Sequence, residues 1–476
     1  MKKLIAFALC STILAGCVDA PPTTPSQTPF ALQTLGLGAA PAPAIAADWW
    51  TAFGDPQLNT LVNEALNGSP TLAAAMARVR EAQSQLSSQR AQTYPQLTLD
   101  GSEERERLSG AYIIPPPYAG STQWVGMVQA NLSWSLDLFG KQSAQVDRAR
   151  QTANAAALDA TAGTLLLAGS VTEAYIALWR AYVLIDVAEE TVKQQNAINS
   201  LTSGRVRAGL DSPASQKQTD ALLAIAREDL MQAKSNRDLA VHAIAALIGR
   251  GADAYAITRP QLNDAALALP AALPADLLAR RADIAAAEAR IAAATAGRHA
   301  AHQAFYPDIN LIGLAGWSAI GLSPMFSSAA EQYGGGAAIH LPIFDAGKLR
   351  ADYADATAQL DEAVADYNQS VVTAVKQTAD ALTQIDSLRD QSVQQKIALD
   401  AADASFKFAT ERYRSGLNPQ SNALDAETIL IQARRQNAAL AADTATARVT
   451  LLMAIGGGFQ PDNSSTALSA NQDTSP

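Results

Sequence analysis

His299 and His302 stand three residues apart in an alanine-rich stretch that reads as helix, so their rings share one face. Two imidazoles on one face could begin a metal site. Nothing nearby completes it, because Glu288 lies too far along the helix and the chain has only two cysteines. A solvated surface pair is the commoner state of such histidines, and no metal is expected. Neither a Gly-x-Ser-x-Gly elbow nor a Walker A loop occurs, and Gly334-Gly335-Gly336 reads as a loop entering a strand. With no nucleophile, base or phosphate cradle in view, the chain is expected to be no enzyme and to need no cofactor.

The residue placed for covalent chemistry is Cys17. Met1-Lys2-Lys3 gives a positive start, and Leu4 to Leu14 an apolar run too short to span a bilayer. This predicts a signal peptide over residues 1–16. It ends in Leu14-Ala15-Gly16-Cys17, which resembles the bacterial lipobox. That resemblance implies cleavage before Cys17 and a covalent lipid on it, and Val18 in the following position points to the outer membrane. Cys10 leaves with the signal, so neither a disulfide nor a cysteine-based metal site is expected.

The elements that must carry such an anchor follow from composition and repeats. The 476 residues hold 35 Lys and Arg against 45 Asp and Glu, a net charge of −10. That balance argues against nucleic acid as a partner, since phosphates demand clustered basic residues. Hydrophobic residues at 48% and charged residues at 17% exclude a wholly disordered chain. Alanine recurs every few positions, which favours long, closely packed helices. Past the signal no run long and apolar enough for a transmembrane helix is expected. Residues 17–47 are rich in Pro and Thr and predict an extended linker, and 457–476 a disordered tail.

Self-similarity is the informative feature. Arg205-Val206-Arg207-Ala208-Gly209-Leu210 returns 207 residues later as Arg412-Tyr413-Arg414-Ser415-Gly416-Leu417. The same shift carries Gly140-Lys141 onto Gly347-Lys348 and Ile248-Gly249 onto Ile455-Gly456. The chain therefore reads as two copies of one unit, 48–250 and 251–456. Asp55-Pro56 and Ser69-Pro70 open helices that run towards Tyr94. From Trp124 to Leu136 the even positions are apolar and the odd positions from Gln129 polar, the period of a strand with two unlike faces. Strand pairs are expected at about 97–139 and 309–346, the last strand over 337–344, with loops near 108–122 and 318–335. Leu158, Leu165, Val171, Leu178, Ile185 and Val192 recur at near-heptad spacing and mark a helical seam. Long helical hairpins are predicted at 142–248 and 349–455. Four strands cannot stand in lipid with open edges. Three chains would close a barrel of about twelve strands.

At this point the chain resembles the TolC-like outer membrane efflux proteins, in their NodT-type lipoprotein branch. The resemblance rests on Asp48-Trp49-Trp50, Phe53 and Asp55, on Tyr94-Pro95, and on Leu136-Asp137-Leu138-Phe139-Gly140-Lys141. It rests equally on Arg280-Arg281-Ala282-Asp283-Ile284, Phe305-Tyr306-Pro307, Phe344-Asp345-Ala346-Gly347-Lys348 and Arg412-Tyr413-Arg414-Ser415-Gly416. Ala282 departs from the family's usual Pro after paired Arg, which bears on a helix start. The resemblance implies a mostly α fold with a transmembrane β-barrel: a homotrimer whose twelve-stranded barrel continues into a periplasmic α-helical barrel. It implies an efflux channel for drugs or other small molecules, fed by a periplasmic adaptor and an inner-membrane transporter of the RND type. A type I protein-secretion duct is the alternative within this class, and a passive envelope-tethering coiled-coil lipoprotein the alternative outside it.

Two sites come with the resemblance. Arg205, Arg207, Gly209 and Leu210, with Arg412, Arg414, Gly416 and Leu417, lie where the hairpins reverse, and in the family such tips dock the adaptor. Helix capping by Gly and dipole pairing by Arg explain much of this pattern, but not an exposed Leu. Asp425 matches an Asp that lines the closed periplasmic entrance of TolC-like channels. Asn422 stands where a second Asp is usual, which weakens the expected ring of charge.

Overall fold

The structure is a computed structural model and describes residues 23–30, 45–111, 113–251, 256–263 and 280–460. Cys10, Cys17 and the signal peptide lie outside the described residues, as does 461–476. The chain divides into two compact units, one of 1–29, 78–156 and 286–368, the other of 30–77, 157–285 and 369–476.

The first unit holds one antiparallel sheet in the order β1 (Gln96–Arg107), β2 (Thr122–Ser135), β3 (Asp308–Ile320), β4 (Glu331–His340). Register sorts its faces. Leu97↔Leu132, Leu99↔Ala130, Val128↔Trp317 and Ala130↔Ala315↔Tyr333 align on one face, which carries Trp124, Trp134, Trp317 and Tyr333 and is apolar except at the end where Glu103, Arg105, Arg107 and Glu331 stand. The other bears Thr98, Asp100, Gln129, Asn131, Ser133 and Gln332. Gln332 donates to Gln129 at 3.0 Å, Gln129 to Asn131 at 2.8 Å and Asn131 to Asp100 at 2.7 Å, a polar rung across all four strands. It passes over Gly316, where a Cβ would fall 2.1 Å from the Val128 carbonyl oxygen. The period-two expectation for β2 extends to the middle of the sheet; Val125, Met127, Ile312, Leu314 and Ile320 interrupt the polar face, and Glu103, Arg105 and Arg107 of β1 stand on the other.

The last strand differs from expectation. It begins at Glu331 rather than 337, and Gly334-Gly335-Gly336 pairs with Leu314, Gly313 and Ile312 instead of forming a loop. Backbone hydrogen bonds to a formed β3 outweigh the conformational freedom that made glycine read as loop.

Seven α-helices occur among the described residues: α1 (Pro56–Gly68), α2 (Pro70–Gln92), α3 (Lys141–Arg207), α4 (Pro213–Leu247), α5 (Ala282–Gln303), α6 (Lys348–Arg414) and α7 (Gln420–Ala454). The two 67-residue helices, α3 and α6, each start on an Asp. Asp137 accepts from the backbone N–H groups of Gln142 and Ser143 at 2.8 Å, and Asp345 from Leu349 at 2.7 Å and Gly347 at 2.9 Å. These are orphan donors of a first turn, and they hold the Asp345 carboxyl below the usual carboxylate range. α5 begins at Ala282 without the usual Pro. Arg281 and the Ile284 N–H converge on Asp283, and Arg281 also donates to the Ala454 carbonyl at 2.8 Å.

The core of the second unit gathers Trp49, Phe53, Leu58 and Val62 with Val171, Tyr175 and Leu178 of α3, Ile244 of α4, and Val449 and Leu452 of α7. Asp55 is the knot. It caps α1 through Gln57 N at 2.9 Å and accepts from the Tyr175 hydroxyl at 2.7 Å and from Gln261 N at 2.8 Å. Leu158, Val171, Leu178 and Ile185 of the near-heptad series are buried.

Two expectations are corrected. α3 contains one stretch long and apolar enough, by composition alone, to cross a membrane. Isolated Thr and Gly break its apolar run without lowering its mean hydropathy enough, and its Val171, Ile176 and Leu178 pack into the core. The expected tail begins too early, because Gly457, Gly458 and Phe459 are buried. A Cβ on Gly458 would fall 2.5 Å from the Ala46 carbonyl oxygen, so this backbone is closely covered.

Candidate functional site

Each long hairpin reverses in a Schellman turn. At the first, Gly209 has φ +70° and donates to Val206 O, while Leu210 N donates to Arg205 O at 2.9 Å. At the second, Gly416 has φ +75° and donates to Tyr413 O, while Leu417 N donates to Arg412 O at 2.8 Å. Gly at this left-handed position costs nothing sterically, which explains its repetition. The motif usually buries the next residue against the helix's last turn. Here that partner is Arg, and Leu210 and Leu417 are left 65% and 66% exposed.

The Arg that opens each turn reaches back into it. Arg205 Nε donates to Asp211 Oδ2 at 2.7 Å, and Arg412 Nε to Asn418 Oδ1 at 3.2 Å. The duplication therefore preserves a geometry while changing its charge. Asp211 then does what Asn418 does not: it accepts from the Tyr413 hydroxyl at 2.8 Å. Tyr413 is fully buried, lies 3.1 Å from Thr202 Oγ1 through its hydroxyl, and carries the Arg205 guanidinium 4.9 Å above its ring. Gln420 Nε2 donates to Thr202 Oγ1 at 2.8 Å. One connected network thus ties the α3–α4 turn to the α6–α7 turn. The hydrogen bond from Arg205, aided by that from Tyr413, holds the Asp211 carboxyl below its usual range against a burial cost.

Of the tip residues, Arg207, Gly209, Leu210, Arg412, Arg414, Gly416 and Leu417 are exposed. Arg205 is not free in the same way, since its guanidinium is committed to Asp211 and Tyr413. Asp425 and Asn422 both lie exposed on α7 within two turns of its start. Sequence reading missed Tyr413, Asp211, Thr202 and Gln420. Tyr413 replaces Val206 of the first copy, and that break in the repeat was the available signal.

A second arrangement concerns the chain's beginning. Residues 23–29 run along the first unit without regular structure. Asp361 accepts from Ser26 N at 2.8 Å, Gln27 N at 2.9 Å and Ser26 Oγ at 2.9 Å. Arg298 donates to Thr23 O at 2.8 Å and Asn368 to Thr28 O at 3.0 Å. The Gln27 N–H, with those of Ser26, lowers the Asp361 pKa. The two histidines of α5 are engaged elsewhere: His299 with Gln303 at 2.9 Å, His302 against the rings of Tyr306 and Tyr353.

The duplicated fold has counterparts among known proteins. Residues 61–250 and 273–457 match the outer membrane efflux protein family. The chain belongs to that family. The fusaric acid resistance protein FusA of Burkholderia cepacia is 35% identical over 74% of this chain and 69% of its own. The multidrug resistance outer membrane protein MdtQ of Escherichia coli O6:H1 is 30% identical over 94% of this chain and 96% of its own. The crystal structure of the outer membrane protein VceC from Vibrio cholerae superposes with a TM-score of 0.82 at 31% identity, covering 87% of this chain and all of that one. The fold is TolC-like, with four strands and long helices in two family repeats, the protomer of a trimeric barrel. The protein is an outer membrane efflux channel and not an enzyme.

Proposed function

We propose that this channel is a lipid-anchored homotrimer of the NodT-type branch, passing drugs or other small molecules received from a periplasmic adaptor and an inner-membrane transporter of the RND type. The observation that carries the reading is the sheet: one aromatic-rich apolar face, one polar face, and β1 and β4 pairing on one side only among the described residues. Unpaired strand edges are not tolerated in hydrocarbon, so the edges must meet those of other copies. Twelve strands leave a lumen, whereas eight are filled by their own side chains. The family supports a channel over a passive tether, and the drug-resistance names of the relatives favour small molecules over secreted proteins as cargo. Purified trimers are expected to give discrete single-channel currents in planar bilayers. A chain that yields trimers but no conductance refutes the reading.

The exposed Asp425 is proposed as the gate residue, with Asn422 one turn earlier. Three-fold symmetry brings three carboxylates towards one axis, where they favour cations and repel each other. Asp425→Ala is expected to reduce cation preference and divalent block. If currents across a pH series match the parent channel, Asp425 is not the gate.

The lipid on Cys17 is proposed from the lipobox, and the strap from Thr23 to Thr28 supports it by fixing the chain six residues past the anchor point. Intact-mass analysis is expected to show a diacylglyceryl and an acyl group on residue 17. Asp361→Ala removes the acceptor of three hydrogen bonds and should make this strap the first site cut by limited proteolysis, with conductance preserved.

A further inference from the structure

Glu427 lies two residues beyond Asp425 but on the opposite side of α7, where it is 1% exposed. Leu424, Ala426 and Leu430 on the adjoining turns of its own helix cluster with Ile198 of α3 and Phe406 of α6, and Leu222 of α4 packs against them. Its one hydrogen bond comes from Gln195 Nε2 of α3, at 2.8 Å to Oε2. Two acceptors in this buried pair have no donor: Oε1 of Glu427 and Oε1 of Gln195. Burying one unpaired acceptor costs about 1–3 kcal/mol, and more when it is charged. An ionised Glu427 would leave both orphaned. A single proton on Glu427 Oε1 would turn two acceptors into a donor and an acceptor and let the side chains close into a reciprocal carboxyl–amide pair.

The charged surroundings do not replace that proton. Arg434, two turns along α7, favours the ionised form; its Nη2 is drawn to Asp403 of α6 at 3.4 Å, which Lys407 also pairs, and its buried Nη1 makes no hydrogen bond to Glu427 or to any other group. From α3 the facing group is the neutral Gln195, and the α4 residue packed on the adjoining cluster is the apolar Leu222. The repeat sharpens the point. The 207-residue shift maps Glu427 onto Asp220 and Gln195 onto Ala402. Asp220 is exposed and satisfied by Asn199, Gln216 and Lys217, so the buried pair belongs to the α3–α7 contact alone.

We infer that Glu427 is a proton-binding site whose occupancy, through the reciprocal pair with Gln195, sets how firmly α7 packs on α3 behind the channel entrance. Burial raises its pKa to about 7, within the range a periplasm open to its surroundings experiences. The sign follows from linkage. A carboxyl whose pKa is higher packed than hydrated stabilises the packed form fully below about 4.5 and loses that contribution as pH rises through 7. Acid therefore tightens the contact, and deprotonation favours hydration of Glu427 and separation of the two helices.

The consequence for conduction rests on the channel reading; the proton itself does not, and the test separates them. Full-length trimers are measured as parent, Glu427→Gln and Asp425→Asn. Glu427→Gln keeps the shape, donates permanently to Gln195 Oε1 and cannot titrate. The infrared difference spectrum of the parent between pH 5 and 8 should contain a protonated-carboxyl band that Asp425→Asn retains and Glu427→Gln loses. Exchange of the 191–199 and 424–431 amides, corrected for intrinsic rates, should be slower at pH 5.5 than at pH 8 in the parent and equal at both in Glu427→Gln. In bilayers, occupancy of the conducting state should rise with pH by up to about tenfold per unit between 5 and 7 and level off above it. That rise should vanish in Glu427→Gln. A band absent from the parent at pH 5, or exchange and conductance that titrate identically in Glu427→Gln, overturns the proposal. The first result would mean that water, not a proton, satisfies the two oxygens. The band and exchange changes without conductance would retain the proton site and refute its link to the channel.

Discussion

Asp in place of both Leu210 and Leu417 is expected to abolish cross-linking to the periplasmic adaptor while leaving trimers intact. The two leucines are the large apolar side chains that the turns leave exposed, and both stand in water in this protomer. Nothing internal needs them: their N–H groups close the Schellman turns and would do so in Asp as well. An apolar side chain left outside a turn that normally buries it is better placed to fill a partner's pocket than to serve its own helix. Burying one Leu contributes about 2 kcal/mol, so two per protomer are worth about 4 kcal/mol, roughly a thousandfold in affinity. Asp would add the cost of desolvating a charge. Arg207, Arg412 and Arg414 remain exposed to steer the encounter, so single replacements there should slow association more than they weaken the complex. Site-specific cross-linking from the tips, read beside the trimer fraction on native gels, checks this. Undiminished cross-linking with normal export removes the tips from the docking surface.

Much of this architecture was legible because duplication writes each element twice. The repeated Arg-x-Arg-x-Gly-Leu fixed both turns, and period-two alternation from Trp124 gave a register that pairing with β1 and β3 then obeys. Glycine was misread where pairing overrode it, at Gly334 to Gly336, and where packing covered it, at Gly457 and Gly458. The site was legible only as far as the repeat. Leu210 and Leu417 are equivalent by the 207-residue shift and equally exposed. Tyr413 and Glu427 act because their counterparts, Val206 and Asp220, are different, and a search for likeness passes over differences. Their partners sit on other helices, Thr202 and Gln195 on α3 and Asp211 in the first turn, at separations that no local pattern encodes.

Tyr413→Phe is expected to raise the channel's ratio of open to closed states about thirtyfold without unfolding it. The phenol ring remains to fill its buried site and to carry the Arg205 guanidinium, so packing is kept. What disappears is the hydroxyl, and with it the contacts to Asp211 at 2.8 Å and Thr202 at 3.1 Å. Asp211 keeps Arg205 and Thr202 still accepts from the Gln420 amide, while the Thr202 hydroxyl loses the Tyr413 oxygen as its acceptor. At about 1 kcal/mol for each hydrogen bond, the loss is about 2 kcal/mol, which corresponds to roughly thirtyfold in the equilibrium between tied and separated tips. Any outward movement of one hairpin from its partner must first break this network, so the loss acts on opening. Asp211→Asn should act in the same direction and mimic the Arg–amide geometry already present at Arg412 and Asn418. The pH dependence has a definite sign. Asp211 has a depressed pKa in the tied state, so its stabilisation is present above the ordinary carboxylate range and is lost as pH falls through the lower, tied value. Acid applied well below pH 4 should therefore release the parent tips, and Asp211→Asn should no longer respond in that range. This is opposite in sign to the effect of Glu427, which tightens on acidification near neutrality. The two groups are thus separable in one conductance titration, and a parent channel whose occupancy is unchanged by Tyr413→Phe at neutral pH would show that the tie between the turns does not restrain the entrance.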